Sequence, residues 1–268
     1  MTSTTLPLSD GGILSFREAG RGAPVVLIHG VGLQSAAWGP QVEALAGTHR
    51  VIALDMPGHG GSSPLSEGAE LPEYVAWLAR ALVALGLEKV SLAGHSMGAL
   101  ITLGFAATHP ECVTRAALLN PVYRRSAEAR AAVVARAGEI RQGGIDPDTP
   151  LSRWFSDSPA DRTARADVAR WLAEVNPHGY ATAYGAFARG DATYAGRIGA
   201  ITCPFWTITG DGDPNSTPGM ARAIAEAAPR GRALVIAGHR HMVNLTAPDA
   251  VNAALRDWLT CDTEGATP

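Results

Sequence analysis

Short runs of apolar residues alternate along the chain with longer segments in which apolar residues recur at helical spacing. A continuous apolar run is typical of a strand buried on both faces of a parallel sheet. Between residues 71 and 87 the apolar positions follow i, i+3, i+4, i+7, i+8 and i+11, which predicts an amphipathic helix packed on that sheet. The predicted strands are 13–19, 24–28, 51–54, a run beginning at 90, 116–120, 204–209 and 233–237. We therefore predict an α/β fold, with a mostly parallel sheet and helices on both faces.

The alternation of strands and helices stops between about residues 122 and 200. This segment is rich in alanine and arginine, and it is broken by Gly143-Gly144 and by several prolines. Its helical stretches are predicted at 125–142, 159–175 and 178–189. We interpret the segment 122–200 as a helical lid, inserted into a core domain that is formed by residues 1–121 and 201–268.

Composition narrows the class of protein. The chain has 268 residues, of which 46% are hydrophobic and 18% charged, with a net charge of −3, so disorder, a nucleic-acid partner and an acidic membrane surface are not indicated. Its three cysteines are isolated, which favours neither a disulfide framework nor a metal site. The first ten residues lack a basic start followed by an apolar run, and no stretch approaches 18 uninterrupted apolar residues. A cytoplasmic location is therefore expected.

A reactive serine is indicated by the sequence Gly94-His95-Ser96-Met97-Gly98, which follows an apolar strand and opens a helix. This is the pattern of a nucleophile elbow, in which a tight turn pushes the serine hydroxyl into the open. The N–H groups and the positive dipole end of the following helix face the same point. The pentapeptide alone is only moderately specific, because glycine and serine are common in ordinary turns.

A serine nucleophile needs a base to take its proton and a carboxylate to orient that base. Two pairs of candidates follow the late strands, namely Asp211 or Asp213 for the acid and His239 or His241 for the base. The members of each pair lie two residues apart on loops, so periodicity does not separate them. Asp55, at the end of an earlier strand, is a further candidate for the acid, although a turn-forming role is expected there.

A tetrahedral intermediate also needs two N–H donors for its oxyanion. The residue after the nucleophile and the loop after the first buried strand supply them in this kind of elbow, which here gives the backbones of Met97 and Val31.

Several motifs together resemble the α/β-hydrolase superfamily, and the resemblance spans nearly the whole chain. They are His29-Gly30-Val31-Gly32, Asp55-Met56-Pro57-Gly58-His59-Gly60, the elbow at Ser96, Gly210-Asp211-Gly212-Asp213 and His241. The chain most resembles the lidded branch that holds enol-lactone hydrolases, carboxylesterases and carbon–carbon bond hydrolases. The resemblance implies Ser96, Asp213 and His241 as the catalytic residues, since the spacing from Gly210 selects Asp213 and the spacing to Pro248 selects His241.

The resemblance implies a cofactor-independent and metal-independent serine hydrolase that cleaves a small carboxylic ester or an enol lactone through an acyl-enzyme. Hydrolysis of a carbon–carbon bond in a vinylogous diketone is the main alternative. A cofactor-free haloperoxidase or perhydrolase uses the same residues, and a non-catalytic ligand receptor of the same fold is a further alternative. The expected partner is a small molecule, neither nucleic acid nor membrane, and a homo-oligomer is left open.

Four residues are candidates for substrate binding: Trp38, Arg124, Arg125 and Trp154. Arg124 and Arg125 follow a predicted strand closely and have the geometry to bind a carboxylate with two hydrogen bonds. The alternatives to substrate binding are arginines that are simply exposed to solvent and aromatic rings that only pack helices against the core. For His29, His59 and His95, we expect structural roles in turns.

Overall fold

In the computed structural model, which describes residues 2–143 and 146–263 apart from the side chain of Ala160, the centre of the protein is one eight-stranded sheet. Its strands lie in the order β1-β2-β4-β3-β5-β6-β7-β8. Strand β2 is antiparallel to both β1 and β4, and the other pairs are parallel. The strands are β1 Thr4–Pro7, β2 Ile13–Ala19, β3 Pro24–Ile28, β4 Arg50–Leu54, β5 Val90–His95, β6 Val113–Leu119, β7 Phe205–Gly210 and β8 Gly231–Ile236.

Helices cover both faces of the sheet, as predicted. They are α1 Gly39–Leu45, α2 Leu71–Ala84, α3 Met97–Thr108, α4 Ala127–Arg141, α5 Asp148–Trp154, α6 Arg162–Glu174, α7 Pro177–Gly190, α8 Pro218–Ala227, α9 Val243–Thr246 and α10 Pro248–Thr260. Alternate residues of a strand point to opposite faces, so Val26 and Ile28 pack in one apolar cluster with α2 and α3, whereas Val25 and Leu27 pack in another with α1 and α10. Within the described ranges, no helix is long and apolar enough to cross a membrane.

The chain between β6 and β7 forms the helices α4 to α7, and its described residues include no strand. Strands β6 and β7 are nonetheless neighbours in the sheet, with Leu119 opposite Ile208. The segment therefore leaves and re-enters the sheet at adjacent positions. Its treatment as a lid distinct from the core stays a prediction, and the break predicted at Gly143-Gly144 lies partly outside the described residues, which do not include Gly144.

Three of these elements, all short, escaped the sequence analysis. Strand β1 and helix α9 have only four residues each, and α5 has only seven, so none of them gives a clear periodic signal.

The elbow between β5 and α3 is strained at Ser96, whose φ of 54° and ψ of −110° lie outside the regions that side chains prefer. The turn requires glycine on both sides. A Cβ added at Gly94 would lie 2.0 Å from the carbonyl oxygen of Gly98, and one at Gly98 would lie 2.1 Å from that of Ile28. Because Gly94 and Gly98 have no side chains, α3 starts directly against the strands, and this close packing holds the strained serine in place.

Replacing Gly98 with alanine should therefore destabilise the protein by roughly 3 kcal/mol or more, because the contacts are with backbone that cannot yield easily. Gly196→Ala is the matched control, since a Cβ at Gly196 meets nothing within 4 Å. Urea unfolding of both variants measures the difference. Equal stability of the two variants would contradict this account of the elbow.

Candidate active site

Ser96 lies at the tip of the elbow, at the carboxyl end of the central strand β5. Its backbone N–H donates to the carbonyl of Leu119 (2.9 Å), which ties the turn to the neighbouring strand β6. Ser96 and His241 line the same cavity, whose volume is about 470 Å³. The structure thus places the predicted nucleophile and the predicted base on one enclosed space.

Asp213 and His241 form a buried pair. The Nδ1–H of His241 donates to Oδ2 of Asp213 at 2.7 Å, and the two side chains are 3% and 0% exposed. The other carboxylate oxygen accepts the backbone N–H groups of Asn215 (2.8 Å) and Ser216 (3.1 Å). Burial by itself raises the pKa of Asp213, but the charge of His241 and these hydrogen bonds outweigh it, so its pKa lies below the usual value.

The competing candidates have other partners. The carboxylate of Asp211 accepts the N–H of Gly238 at 2.8 Å, and the ring of His239 is hydrogen-bonded to the hydroxyl of Thr246 at 2.9 Å. Asp55 lies elsewhere and accepts the N–H of Ser35 at 2.6 Å. The structure brings together Asp213 and His241 and leaves these three residues apart from the pair.

Asn120 supports the acid, and sequence reasoning missed it. Its side-chain Nδ2 donates to Oδ2 of Asp213 at 2.8 Å and also lies 3.2 Å from the carbonyl of Arg240, the residue before the base. Asn120 has a positive φ of 47°, and its own carbonyl accepts the hydroxyl of Ser216 at 2.6 Å. One signal in the sequence marks it: a polar residue directly after a buried strand lies at the edge where sites form in parallel sheets.

The candidate oxyanion donors lie on either side of Ser96. Val31 lines the cavity, and Met97 is the first residue of α3, where a backbone N–H has no partner within the helix. His59 braces the loop that carries Val31, because its Nε2 accepts the N–H of Gly32 at 3.0 Å while its Nδ1–H donates to the carbonyl of Pro57.

His29 lies beside His59 and makes the same kind of contact. Its Nε2 accepts the N–H of Met56 at 2.9 Å, and its Nδ1–H donates to the carbonyl of Gly30 at 2.7 Å. A ring nitrogen that accepts cannot carry a proton, so both rings are neutral. Burial is the largest cause that lowers the pKa of His59 to about 3, and burial also lowers the pKa of His29.

Side chains from the segment 122–200 form one wall of the cavity. Its larger residues are Arg125, Arg136, Glu139, Arg153, Trp154, Tyr180, Tyr184 and Phe187. Arg125 is buried and fixed: its Nη1 donates to the carbonyl of Phe187 at 3.2 Å and lies 3.5 Å from Asp191, and its guanidinium stacks 4.5 Å above the ring of Phe187. The cavity wall therefore combines aromatic surface with guanidinium groups.

Two of the four substrate-binding candidates lie elsewhere. Arg124 is exposed, with its guanidinium 5.1 Å from the ring of Tyr123, and it does not line the cavity. Trp38 is wrong as a pocket residue, because its ring is fully buried in the apolar cluster of α1 and α10, on the other face of the sheet. Its place near the oxyanion loop in sequence does not bring its side chain through the sheet.

Known proteins resemble this chain over most of its length. The profile of the family described as alpha/beta hydrolase fold matches residues 23–248. The (E)-2-((N-methylformamido)methylene)succinate hydrolase of Acinetobacter baylyi is 49% identical over 97% of this chain and 98% of its own. The enol-lactonase from Burkholderia xenovorans superposes with a TM-score of 0.88, at 26% identity over 96% of this chain and all of that one. A malate-bound esterase from Thermogutta terrifontis gives a TM-score of 0.87, at 26% identity over 97% of this chain and 98% of that one. The chain therefore belongs to the α/β-hydrolase family, as its motifs predicted, and is a hydrolase.

Proposed function

We propose that the protein is a cofactor-independent serine hydrolase, in which Ser96 attacks a carbonyl carbon, His241 is the general base and Asp213 orients it. One observation carries the proposal: a buried Asp213–His241 hydrogen bond opens onto the same cavity as a serine on a strained elbow.

The hydrogen bond fixes the tautomer of the base. Since Nδ1–H of His241 donates to Asp213, Nε2 carries the free lone pair and accepts the proton of Ser96. The serine oxygen then adds to the carbonyl, and the N–H groups of Val31 and Met97 stabilise the oxyanion. Loss of one such donor costs on the order of 100- to 1,000-fold in rate in other enzymes.

The second half of the reaction uses the same groups. The proton on Nε2 of His241 passes to the leaving group as the tetrahedral intermediate collapses to an acyl-enzyme on Ser96. His241 then takes a proton from water as the water oxygen adds to the acyl carbon. The bond between that carbon and the oxygen of Ser96 breaks, the proton passes from His241 to the serine oxygen, and the acid is released. Asp213 stabilises the imidazolium that forms in each half.

The substrate we propose is a small carbonyl compound with at least one carboxylate. The guanidinium groups of Arg125, Arg136 and Arg153 on the cavity wall support this class, since planar guanidinium groups bind carboxylates well. The substrate named for the Acinetobacter baylyi relative is a succinate derivative, which has two carboxylates, and the Thermogutta terrifontis esterase holds malate, another dicarboxylate. An ester or lactone of such an acid is the first candidate.

A vinylogous substrate, such as a diketone whose carbon–carbon bond is hydrolysed, is the second candidate. In the compound named for the relative, a formamide nitrogen is joined through a carbon–carbon double bond to a carboxylated carbon. Attack on a carbonyl conjugated in this way needs the same nucleophile and base as attack on an ester. A panel of nitrophenyl esters, enol lactones, N-acyl enamines of methylenesuccinate and vinylogous diketones would separate the two candidates, and peroxide-dependent halogenation or the absence of any turnover would point to the remaining alternatives.

The roles of the serine, the acid and the base are testable together. A fluorophosphonate probe should label Ser96 stoichiometrically, and His241→Ala and Asp213→Asn should each lower kcat by roughly 10⁴, as in serine proteases. Asp211→Asn and His239→Ala are matched controls and should lose about tenfold at most, because their partners are Gly238 and Thr246. Reversal within either pair would reassign the acid or the base.

Arg125→Gln should raise KM for a carboxylate-bearing ester about 10- to 100-fold, since a hydrogen bond to a charged group contributes roughly 1.5–3 kcal/mol. KM for the uncharged ester of the same size should change little. Arg124→Gln is the control, because the neighbouring Arg124 is exposed and outside the cavity. Steady-state kinetics on both esters decide the matter, and equal losses on the charged and uncharged esters would argue against carboxylate binding by Arg125.

The neutral His59 that braces the oxyanion loop predicts a dependence of stability on pH. The unfolded chain binds a proton on this residue near pH 6.5, whereas the folded chain binds it only near pH 3, so the free energy of unfolding should fall as the pH drops through this window. His59→Gln should lose less stability between pH 7.5 and pH 5 than the native protein. Urea unfolding at both pH values measures this, with the exposed His178→Gln as control. If the free energy of unfolding of His59→Gln changed with pH as much as that of the native protein, another group would be responsible for the pH dependence.

A further inference from the structure

Arg240, the residue before the candidate base, joins the loop of His241 to the lid segment. Its Nη1 donates to the carbonyl oxygens of Ser152 (3.0 Å) and Phe155 (2.8 Å). Ser152 lies in the last turn of α5 and Phe155 is the residue that follows the helix. Carbonyls at the end of a helix have no partner within it, and the guanidinium of Arg240 supplies a donor to two such groups at the end of α5.

In sequence, Trp154 lies between Ser152 and Phe155, whose carbonyls accept hydrogen bonds from Arg240. Its ring lies over the ring of His241, with centroids 5.6 Å apart and an interplanar angle of 29°. Trp154 also lines the cavity, whereas Arg240 does not. The last turn of α5 is thus fixed to the loop of the base by Arg240 and covers the base itself with Trp154.

The opposite side of the same loop is fixed by the core. The Nε2–H of His95 donates to the carbonyl of His241 at 2.8 Å, and Asn120 donates to the carbonyl of Arg240 at 3.2 Å. These bonds hold the backbone, and Asp213 holds one edge of the His241 ring. Two other rings pack against that of His241: Trp154 is stacked on it, and His95 is tilted at 59° to it, with centroids 5.0 Å apart.

We propose that Arg240 and Trp154 are positioning residues that act as one unit, a latch that docks α5 on the loop of His241 and keeps the base aligned between Asp213 and Ser96. The proposal rests on the proposed function of His241. Arg240 acts at a distance, through the place it gives to Trp154.

Three properties follow from the geometry. Loss of the guanidinium should lower kcat far more than it changes KM for a small uncharged ester, because the alignment of the base governs the chemical step and Arg240 itself does not line the cavity. The effects of losing Arg240 and of losing Trp154 should not multiply, because both remove the same contact with the base. The backbone N–H groups at the end of α5 should also exchange with solvent faster once the helix is undocked.

The experiment compares Arg240→Met, which keeps the length of the side chain but removes its donors, with Arg240→Lys, which keeps a cation. With 4-nitrophenyl acetate as substrate, Arg240→Met should lower kcat about tenfold with less than a twofold change in KM, and Arg240→Lys should recover most of the loss. Trp154→Leu should also lower kcat about tenfold, whereas Trp154→Phe should retain most of the native kcat. The double variant Arg240→Met with Trp154→Leu should have a kcat little lower than that of either single variant. Arg232→Met is the matched control, since this arginine stacks on Trp206.

Hydrogen–deuterium exchange of residues 151–155 provides a readout that needs no substrate. It should rise in Arg240→Met and stay unchanged in Arg232→Met, whether or not the protein hydrolyses the ester, so failure of the proposed function and failure of the latch are distinguishable. Unchanged exchange, a change confined to KM, or fully multiplicative effects of the two substitutions would each overturn the latch. If Arg240→Met does not fold, the contrast between Trp154→Leu and Trp154→Phe decides: equal kcat values in these two variants would also overturn it.

Discussion

A carboxylate buried beside an imidazole is the interaction on which the candidate site depends. Removing the charge of Asp213 from water is costly, and the cost is offset only because donors converge on both of its oxygens. Those donors come from the loop after β7, from the end of β6 and from the loop after β8, so the pair exists only when the carboxyl ends of three neighbouring strands are in register. The sheet is thus both the core of the fold and the frame that makes a buried carboxylate tolerable.

The second constraint is the strain at Ser96. A residue with positive φ between a strand and a helix is held there by packing on both sides, and the close approach at Gly94 and Gly98 shows how little space is left. The neutral His59 and His29 hold the adjacent candidate oxyanion loop in a comparable way. In each ring, Nε2 accepts a backbone N–H and therefore carries no proton. Rigid parts therefore surround the reacting atoms, and the candidate nucleophile does not depend on a mobile loop.

The sequence was sufficient for the sheet, because continuous apolar runs such as Pro24–Ile28 carry a strong signal. Periodicity does not distinguish Asp211 from Asp213, so only the family spacing selected Asp213 and His241 as the candidate acid and base. The sequence did not predict contacts between distant segments. The hydrogen bond from Asn120 to Asp213, that from Arg240 to the end of α5, and the face of the sheet on which Trp38 packs all depend on the tertiary structure. Arg124 and Arg125 are adjacent in sequence, and only the fold decides which one faces the cavity.

The adjacency of β6 and β7 has an evolutionary consequence. The helical segment between them begins and ends at neighbouring strands, so the sheet registers are satisfied whatever the length of chain in between. The entropic cost of closing such a loop grows only with the logarithm of its length. Insertions, deletions and replacements in this segment therefore change the free energy of folding little, although they change the residues that line the cavity. Changes confined to α4 to α7 therefore alter the wall of the cavity and leave the strands that precede Ser96 and His241 as they are.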